Sequence, residues 1–351
     1  MDVVTHALLG ATLARATASK RARLGRRERL LLGGVAAAFP DIDFAAFPLD
    51  PLLFLAEWHQ GPTHSLLLMP LWALLIGGSF VLVAHRSGVL AEAVRVGALG
   101  LTSHIAADLI TAYGTAILYP LSDARFSIGT TFVIDPLFTF IVALGLGLSL
   151  WTGRRLAAGA GLAVLCVYVG GQAVLQQRAV DVGHGSARDH GPAIERLSVV
   201  PQPFSPFNWK LIGVQGSTRF VAHVTLADHL SWMSSLPGLD RFRATADAYR
   251  RPGELSWESR HLFGGDSKDK ALVESLWSHP ELAPFRRFAA HPSLSRIDRH
   301  GEETCVWFTD LRYDLPALPD MFRFGFCRDG SGQPWQLHRL RYFSDRSRQA
   351  L

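Results

Sequence analysis

Thiolate chemistry is almost absent from this sequence. Its 351 residues hold three cysteines and no CxxC pair, which argues against a cysteine-built zinc site. Cys166 lies inside an apolar run, while Cys305 and Cys327 lie in a more polar context. The latter two read equally well as one disulfide, if their domain faces an oxidising compartment, or as two separate buried thiols. No cleavable signal sequence is expected either: Met1-Asp2-Val3-Val4-Thr5-His6 has no basic n-region, and no small-residue cleavage site follows it. Insertion into a membrane is then expected to rely on internal hydrophobic segments. No internal repeat or low-complexity tract is visible.

The scarcity of charge is uneven, and that unevenness is informative. A mean hydropathy of +0.17 with 19% charged residues describes neither half of the chain. Before about residue 180, long apolar runs alternate with short basic loops; after it, charged residues, Trp and Pro are spread as in a soluble domain. The reading is therefore a membrane-embedded helical domain over 1–179 and a soluble α+β domain over 180–351. Within the first, six hydrophobic segments stand out, some of them short or broken: Val3–Ala14, Leu30–Phe47, His64–Ala84, Val96–Leu118, Phe132–Trp151 and Leu156–Val174. A span needs about 20 mostly apolar residues. The expected fold is a mainly α polytopic membrane bundle followed by the α+β domain.

The net charge of +5 might indicate a nucleic-acid partner, but its placement argues otherwise. Arg15–Arg29, His85–Arg95 and Gly153–Arg155 hold seven, two and two Lys or Arg; Pro48–Thr63 and Tyr119–Thr131 hold none and one. The positive-inside rule accounts for this bias. It puts the basic loops in the cytoplasm and the C-terminal domain outside it, in a multi-pass protein of the inner membrane, and no nucleic acid is expected as a partner. In the C-terminal domain, 219–224 and 304–309 read as strands, and 321–327 and 336–342 flank the hairpin signal Asp329-Gly330-Ser331-Gly332. Asp269–Trp277 and Glu281–Ala290 read as helices.

Seven residues carry chemistry: His6, Asp41, Asp43, His59, His64, His104 and Asp108. His104 and Asp108, four apart, share one helix face and suit two ligands of one metal, or a ligand and its orienting carboxylate. Asp41 and Asp43 follow Pro40, which interrupts a helix and opens the local backbone. His59 and His64 flank a turn. Each alone has a bland reading as a cap, a solvated acid or an interhelical hydrogen-bonder. On the alternating topology, however, five of the seven fall in one outer layer and the other two just beneath it. Ionisable groups at membrane depth are functional by default. Imidazole and carboxylate without thiolate suit zinc, manganese or iron(II), as one or two ions, with Asp43 or Asp108 as general base. Thr5, Thr63, Ser65 and Asp135 are candidates for supporting these ligands, although Asp135-Pro136 is equally a helix N-cap.

In order along the chain, Thr5-His6-Ala7-Leu8-Leu9-Gly10, Phe39-Pro40-Asp41-Ile42-Asp43, His59-Gln60-Gly61-Pro62-Thr63-His64-Ser65-Leu66, His104-Ile105-Ala106-Ala107-Asp108, Tyr113-Gly114-Thr115 and Ile134-Asp135-Pro136-Leu137-Phe138-Thr139 resemble the YdjM-type family. Its members are described as LexA-regulated inner-membrane proteins and membrane-bound metal-dependent hydrolases. The resemblance covers about the first 140 residues and implies hydrolase activity with a divalent metal. It departs at Gln60, where the family pattern often has a basic residue. Placement near lipid favours a lipid-linked or phosphoester substrate at the outer face. The alternatives are a transporter or metal-handling protein built from the same residues, and a non-enzymatic regulatory or scaffold protein.

Overall fold

The computed structural model describes residues 1–203, 205–227, 247–265, 268–316, 318, 321–330, 332–342, 344 and 346–351. The chain forms two compact units, one of residues 1–47 and 58–174 and the other of 48–57 and 175–351.

The first unit is helical: α1 (Val3–Ala16), α2 (Arg26–Ala38), α4 (Met69–Val83), α5 (Leu90–Leu109), α6 (Pro136–Thr152) and the opening half of α7 (Arg155–His190). The short helix α3 (Pro51–Leu53) belongs to the second unit. Asp2 caps α1 by accepting from the Thr5 amide at 3.0 Å, and Asp135 caps α6 by accepting from Leu137 and Phe138. After Ala38 the helix tightens into a 3₁₀ turn, Phe39–Ala46, with Pro40 near its start. Proline donates no amide hydrogen bond, so it disrupts the α-helical ladder there.

These helices correct the six-segment reading. Among the described residues one helix, α7, is by itself long and apolar enough to cross a membrane; a bent pair, Pro51–His64 with Met69–Val83, gives a second if counted as one span. The segment read at Val3–Ala14 is a 14-residue helix, about 21 Å long against a hydrocarbon core of about 30 Å. The segment read at Phe132–Trp151 is the 17-residue α6, also apolar but short. Leu30–Phe47 falls partly on α2, which carries Arg26, Arg27, Glu28 and Arg29 and ends at Ala38. Val96–Leu118 stops being helical after Leu109, and α5 carries Glu92, Arg95 and Asp108. Periodicity located the apolar runs, but the charges and breaks within them set the helix ends. The alternating topology counted on six spans is not supported.

What holds α1, α2 and α5 together is backbone proximity. A Cβ added at Gly10 would meet the Gly33 carbonyl oxygen at 2.3 Å, and one at Gly100 would meet the same oxygen at 2.7 Å. Only glycine permits three helices to meet at that spacing. Around the crossing, Leu32, Ala14, Ala93 and Val96 are buried in one cluster. Buried Arg29 on α2 pairs with Glu92 on α5 at 2.6 Å and donates to the Ala14 carbonyl of α1, tying the same three helices at one end.

The second unit contains two antiparallel sheets. One has the order β1-β2-β3-β4, from Arg196–Pro201, Asn208–Gln215, Thr218–Thr225 and Glu258–His261. The other runs β5 to β9 in sequence order, from Pro292–His300, Glu303–Asp310, Phe324–Asp329, Gln336–Leu340 and Arg348–Ala350. Ala179 of α7 packs with Trp209, Leu211, Ala222 and Val224 of the first sheet. The helices α8 (Lys270–Trp277) and α9 (Ala283–Phe288) lie inside the ranges read from sequence. Strand β3 contains the 219–224 strand and β6 the 304–309 strand, whereas the strand read at 321–327 begins only at Phe324. β7 pairs with β8, and Ser331 of the connecting signal lies outside the described residues. Cys305 and Cys327 sit opposite each other on β6 and β7 and form a disulfide.

The glycine crossing yields a controlled test. Gly33→Ala would set a methyl 2.6 Å from the Ala14 Cβ, and is expected to destabilise the first unit by about 1–3 kcal/mol. Gly78→Ala on α4, which meets nothing within 4 Å, is expected to be neutral or to stabilise by up to about 1 kcal/mol through helix propensity. Thermal melting of the detergent-purified variants decides: equal melting temperatures would show that the crossing tolerates a side chain.

Candidate metal centre

His104 and Asp108 occupy the last turns of α5, one turn and two turns beyond Gly100. His6 on α1 lies one turn before Gly10. Asp41 and Asp43 sit on the 3₁₀ turn that follows α2. The crossing that brings the three helices within backbone contact therefore also brings these side chains together. Ligand atoms of His6, Asp41, His104 and Asp108 all lie within 4.8 Å of one another. Three of the four residues are fully buried and the Asp41 side chain is 7% exposed.

The hydrogen bonds define where the lone pairs point. His104 Nδ1 is 2.6 Å from the Ala37 carbonyl oxygen. A carbonyl can only accept, so Nδ1 carries the proton, and in that tautomer of the imidazole the lone pair is on Nε2. That atom faces Asp108 Oδ2 at 3.1 Å, Asp41 Oδ1 at 3.8 Å and His64 Nε2 at 2.9 Å. His6 stacks on His104 with ring centroids 3.7 Å apart, and its Nε2 is 3.1 Å from Asp108 Oδ1. Among the described residues His6 Nδ1 and Asp41 Oδ2 have no hydrogen-bond partner, and His6 Nε2 has only the Asp108 contact, which lacks hydrogen-bond geometry; all are buried. The Met1 amine and the Gln60 side-chain amide donate to Asp108, and one proton is shared between His104 Nε2 and His64 Nε2, yet the buried polar atoms left without partners are costly. A cation at the centre would satisfy the atoms left over. The donor set, two imidazoles and two carboxylates, suits zinc and related divalent ions, and the Nδ1–H to carbonyl contact is the usual support of a ligating histidine.

The remaining sequence candidates divide into two groups. His64 adjoins the centre, with Nε2 3.3 Å from Asp108 Oδ2 and 3.9 Å from Asp41 Oδ1, and its Nδ1 lies 3.0 Å from the Thr63 hydroxyl. Asp43 and His59 stand one ring further out. Both Asp43 oxygens are 3.2 Å from His59 Nδ1, while Asp43 Oδ2 is 3.8 Å from His64 Nδ1. The His59 ring packs edge-on against Phe44 and Tyr113. Among the supporting candidates, Thr63 touches His64, but Thr5, Ser65 and Asp135 act elsewhere. Thr5 bonds Asp2 and Thr139; the Ser65 hydroxyl donates to the Tyr119 carbonyl and accepts from the Leu67 and Leu68 amides. Asp135 caps α6 and accepts from the Tyr168 hydroxyl at 2.6 Å.

Several participants escaped the sequence reading. Gln60 Nε2 donates to Asp108 Oδ2 at 3.0 Å, its amide donates to Asp43, and its Oε1 accepts from Thr115. Gln60 adopts a left-handed backbone, φ 55°, and Arg125 braces the turn by donating to the His59 carbonyl at 3.1 Å. The α-amino group of Met1 also bonds Asp108, both groups being fully buried. The signal for Gln60 was its departure from the family pattern, and that for Thr115 its place in the resembling Tyr113-Gly114-Thr115 block; the Ala37 carbonyl left no mark in the sequence.

A family model matches residues 1–179, just over half of the chain, and its description is YdjM inner membrane protein. The chain belongs to the YdjM inner membrane protein family. No curated protein and no solved structure matches it. The matched stretch contains the whole of the His/Asp centre, so the family's shared part and the candidate metal site coincide.

Ligand and control can be separated by substitution. His104→Ala and Asp108→Ala are expected to lower metal affinity by at least about tenfold, since even supporting partners of a metal site contribute that much. Asp135→Asn, which keeps a capping oxygen, is expected to leave it unchanged. Elemental analysis after equilibration with limiting zinc gives the comparison. Equal metal content in all three variants would remove His104 and Asp108 from the site.

Proposed function

We propose that this YdjM-family chain is a membrane-bound metal-dependent hydrolase. The observation that carries the reading is the convergence of His6, His104 and the two carboxylates of Asp41 and Asp108 on one buried point. His6, Asp41, His104 and Asp108 would hold a divalent cation, zinc first and manganese or iron(II) by the same donors. Bound there, such an ion supplies a water of lowered pKa and polarises the bond to be cleaved. His64 adjoins the centre and is aligned by Thr63. Gln60 fixes Asp108, and Ala37 fixes the tautomer of His104.

Proton handling falls to the outer pair. Asp43 accepts the Nδ1–H of His59, which leaves His59 Nε2 as the atom able to take or return a proton. Asp43 thus acts by orienting His59, in place of the direct base role considered for it and for Asp108. Ile42 and Phe44, 60% and 47% exposed, flank Asp43 on the same turn, and they would suit an amphiphilic, lipid-linked or phosphoester substrate. Purified protein is expected to cleave a chromogenic phosphodiester, to lose that activity with chelator, and to regain it with zinc. His59→Ala is expected to keep its metal and lose roughly 10²–10⁴-fold in rate. Should wild-type protein loaded with zinc be no faster than His104→Ala on phosphodiester, phosphomonoester and carboxylic ester probes, the hydrolase reading fails.

We further propose that the second unit lies outside the cytoplasm. Arg154 and Arg155 stand at the start of α7, whose apolar stretch precedes the strands of the second unit in the sequence, and positive charge marks the cytoplasmic end of a span. A disulfide between Cys305 and Cys327 suits an oxidising compartment. Protein taken from cells and denatured in a mass-tagged maleimide without reductant is expected to gain one tag, on Cys166. Reduction beforehand is expected to raise this to all three cysteines of the chain. Three tags without reductant would place the unit in a reducing compartment.

A further inference from the structure

The end of the first unit that holds the Arg29–Glu92 pair gathers cations from three separate stretches of chain. Arg15 of α1 donates to the Gly153 carbonyl at 2.5 Å, and Arg155 donates to the Ala18 carbonyl. These bonds bring the α6–α7 turn against the loop after α1. Arg23 donates to the Gly88 carbonyl at 3.0 Å; Arg86 bonds the Arg23 carbonyl at 2.9 Å and Glu28 at 2.8 Å. These bring the α4–α5 turn against the same loop. Lys20, Arg21, Arg26, Arg27 and Arg154 are exposed on the surface so formed, with no ion pair among the described residues. The acids there, Glu28 and Glu92, are already paired.

Next to this basic face lies a collar of apolar side chains with nothing over them. Leu82 and Val83 at the end of α4 are 76% and 81% exposed, Trp151 at the end of α6 is 85%, and Leu156 at the start of α7 is 78%. All four lie within a few residues of Arg86, Arg154 or Arg155. Basic side chains beside an exposed Trp and aliphatic residues match the polar-to-apolar gradient of a bilayer surface. Nucleic acid would satisfy the charge but leave the collar in water.

We propose that this face binds anionic phospholipid, with the phosphate of the headgroup held by Arg26, Arg27 and Arg154 and the acyl chains lying along Leu82, Val83, Trp151 and Leu156. The site is distinct from the metal centre and does not depend on the hydrolase reading. It goes beyond orientation by charge: an orienting bias needs cations only on the right side, whereas here three stretches are hydrogen-bonded into one surface with an apolar border.

The test uses the full chain in non-ionic detergent, titrated with phosphatidylglycerol or phosphatidylcholine and read by native mass spectrometry. Phosphatidylglycerol is expected to bind at least about tenfold more tightly, as a few basic groups near a lipid surface permit, and the preference is expected to shrink as salt is raised. The triple variant Arg26→Gln, Arg27→Gln, Arg154→Gln is expected to lose it, and the corresponding Lys variant to keep most of it. Because the wild-type comparison needs no variant, a misfolded triple variant does not remove the test. Equal affinity for the two lipids, or a folded triple Gln variant that keeps the preference, would overturn the proposal. So would a DNA oligonucleotide that displaces phosphatidylglycerol and binds more tightly.

Discussion

The structure of the first unit depends on the contact at Gly33. Its carbonyl oxygen stands where side chains of both α1 and α5 would otherwise be, 2.3 Å from a Cβ at Gly10 and 2.7 Å from one at Gly100. Helices normally pack with axes 8–10 Å apart according to the side chains between them, and glycine at the contact brings them to the near end of that range. The consequence is chemical as well as mechanical. His6 and His104 each lie one turn from a glycine of the crossing, on α1 and α5, and their rings stack at 3.7 Å. The crossing and the ligand set are parts of one arrangement, because moving α1 away from α5 by a methyl group's width would separate the rings that converge on Asp108.

Such an arrangement has to keep charged groups stable away from water. Burying a carboxylate is strongly unfavourable unless it is paired and hydrogen-bonded. Asp108 is met by the Met1 amine and by Gln60 as well as by the three histidines. The backbone contributes the decisive constraint, for the Ala37 carbonyl forces the His104 proton onto Nδ1. Ala37 precedes the 3₁₀ turn that carries Asp41 by one residue beyond Ala38. One stretch of chain therefore supplies both the support for one candidate ligand, His104, and another candidate, Asp41.

How much of this was legible in the sequence can be told residue by residue. The seven ionisable residues were found because apolar surroundings make them conspicuous, and the spacing of His104 and Asp108 already placed them on one helix face. The six spans were a misreading of the same apolar character. Runs such as Val3–Ala14 are hydrophobic because they pack into a helical unit, and a run's composition does not distinguish that from facing lipid. Length and interior charge do: Asp108 inside Val96–Leu118 was visible at the outset, whereas Glu92 and Arg95, read as part of a loop, belong to the same helix α5. Gln60 was legible only as a departure from the resembling pattern. Where a basic residue was expected, an amide donates to Asp108 and accepts from Thr115, a pairing that joins residues distant in sequence and that no local pattern records. The division between His59 with Asp43 and the inner four was equally hidden, because it depends on which ring faces which carboxylate.

The two polar ends of α5 make a final connection. Glu92 and Asp108 are sixteen residues apart on one helix, about 24 Å along its axis. Each closes a cluster in which α1 and α2, or the turn that follows α2, also take part: Arg29 with the Ala14 carbonyl at one end, His6 with Asp41 at the other. Between them the helices meet through glycine, alanine and aliphatic side chains. The two ends differ in kind. At the Glu92 end the two buried charges, Arg29 and Glu92, pair with each other, so the knot is complete as it stands and its work is to fix the helices. At the Asp108 end acceptors and lone pairs outnumber donors, and His6 and Asp41 keep atoms without partners. One buried polar cluster is thus complete within the chain, while its counterpart, where the Met1 amine meets Asp108, keeps atoms without hydrogen-bond partners among the described residues and could hold a metal ion.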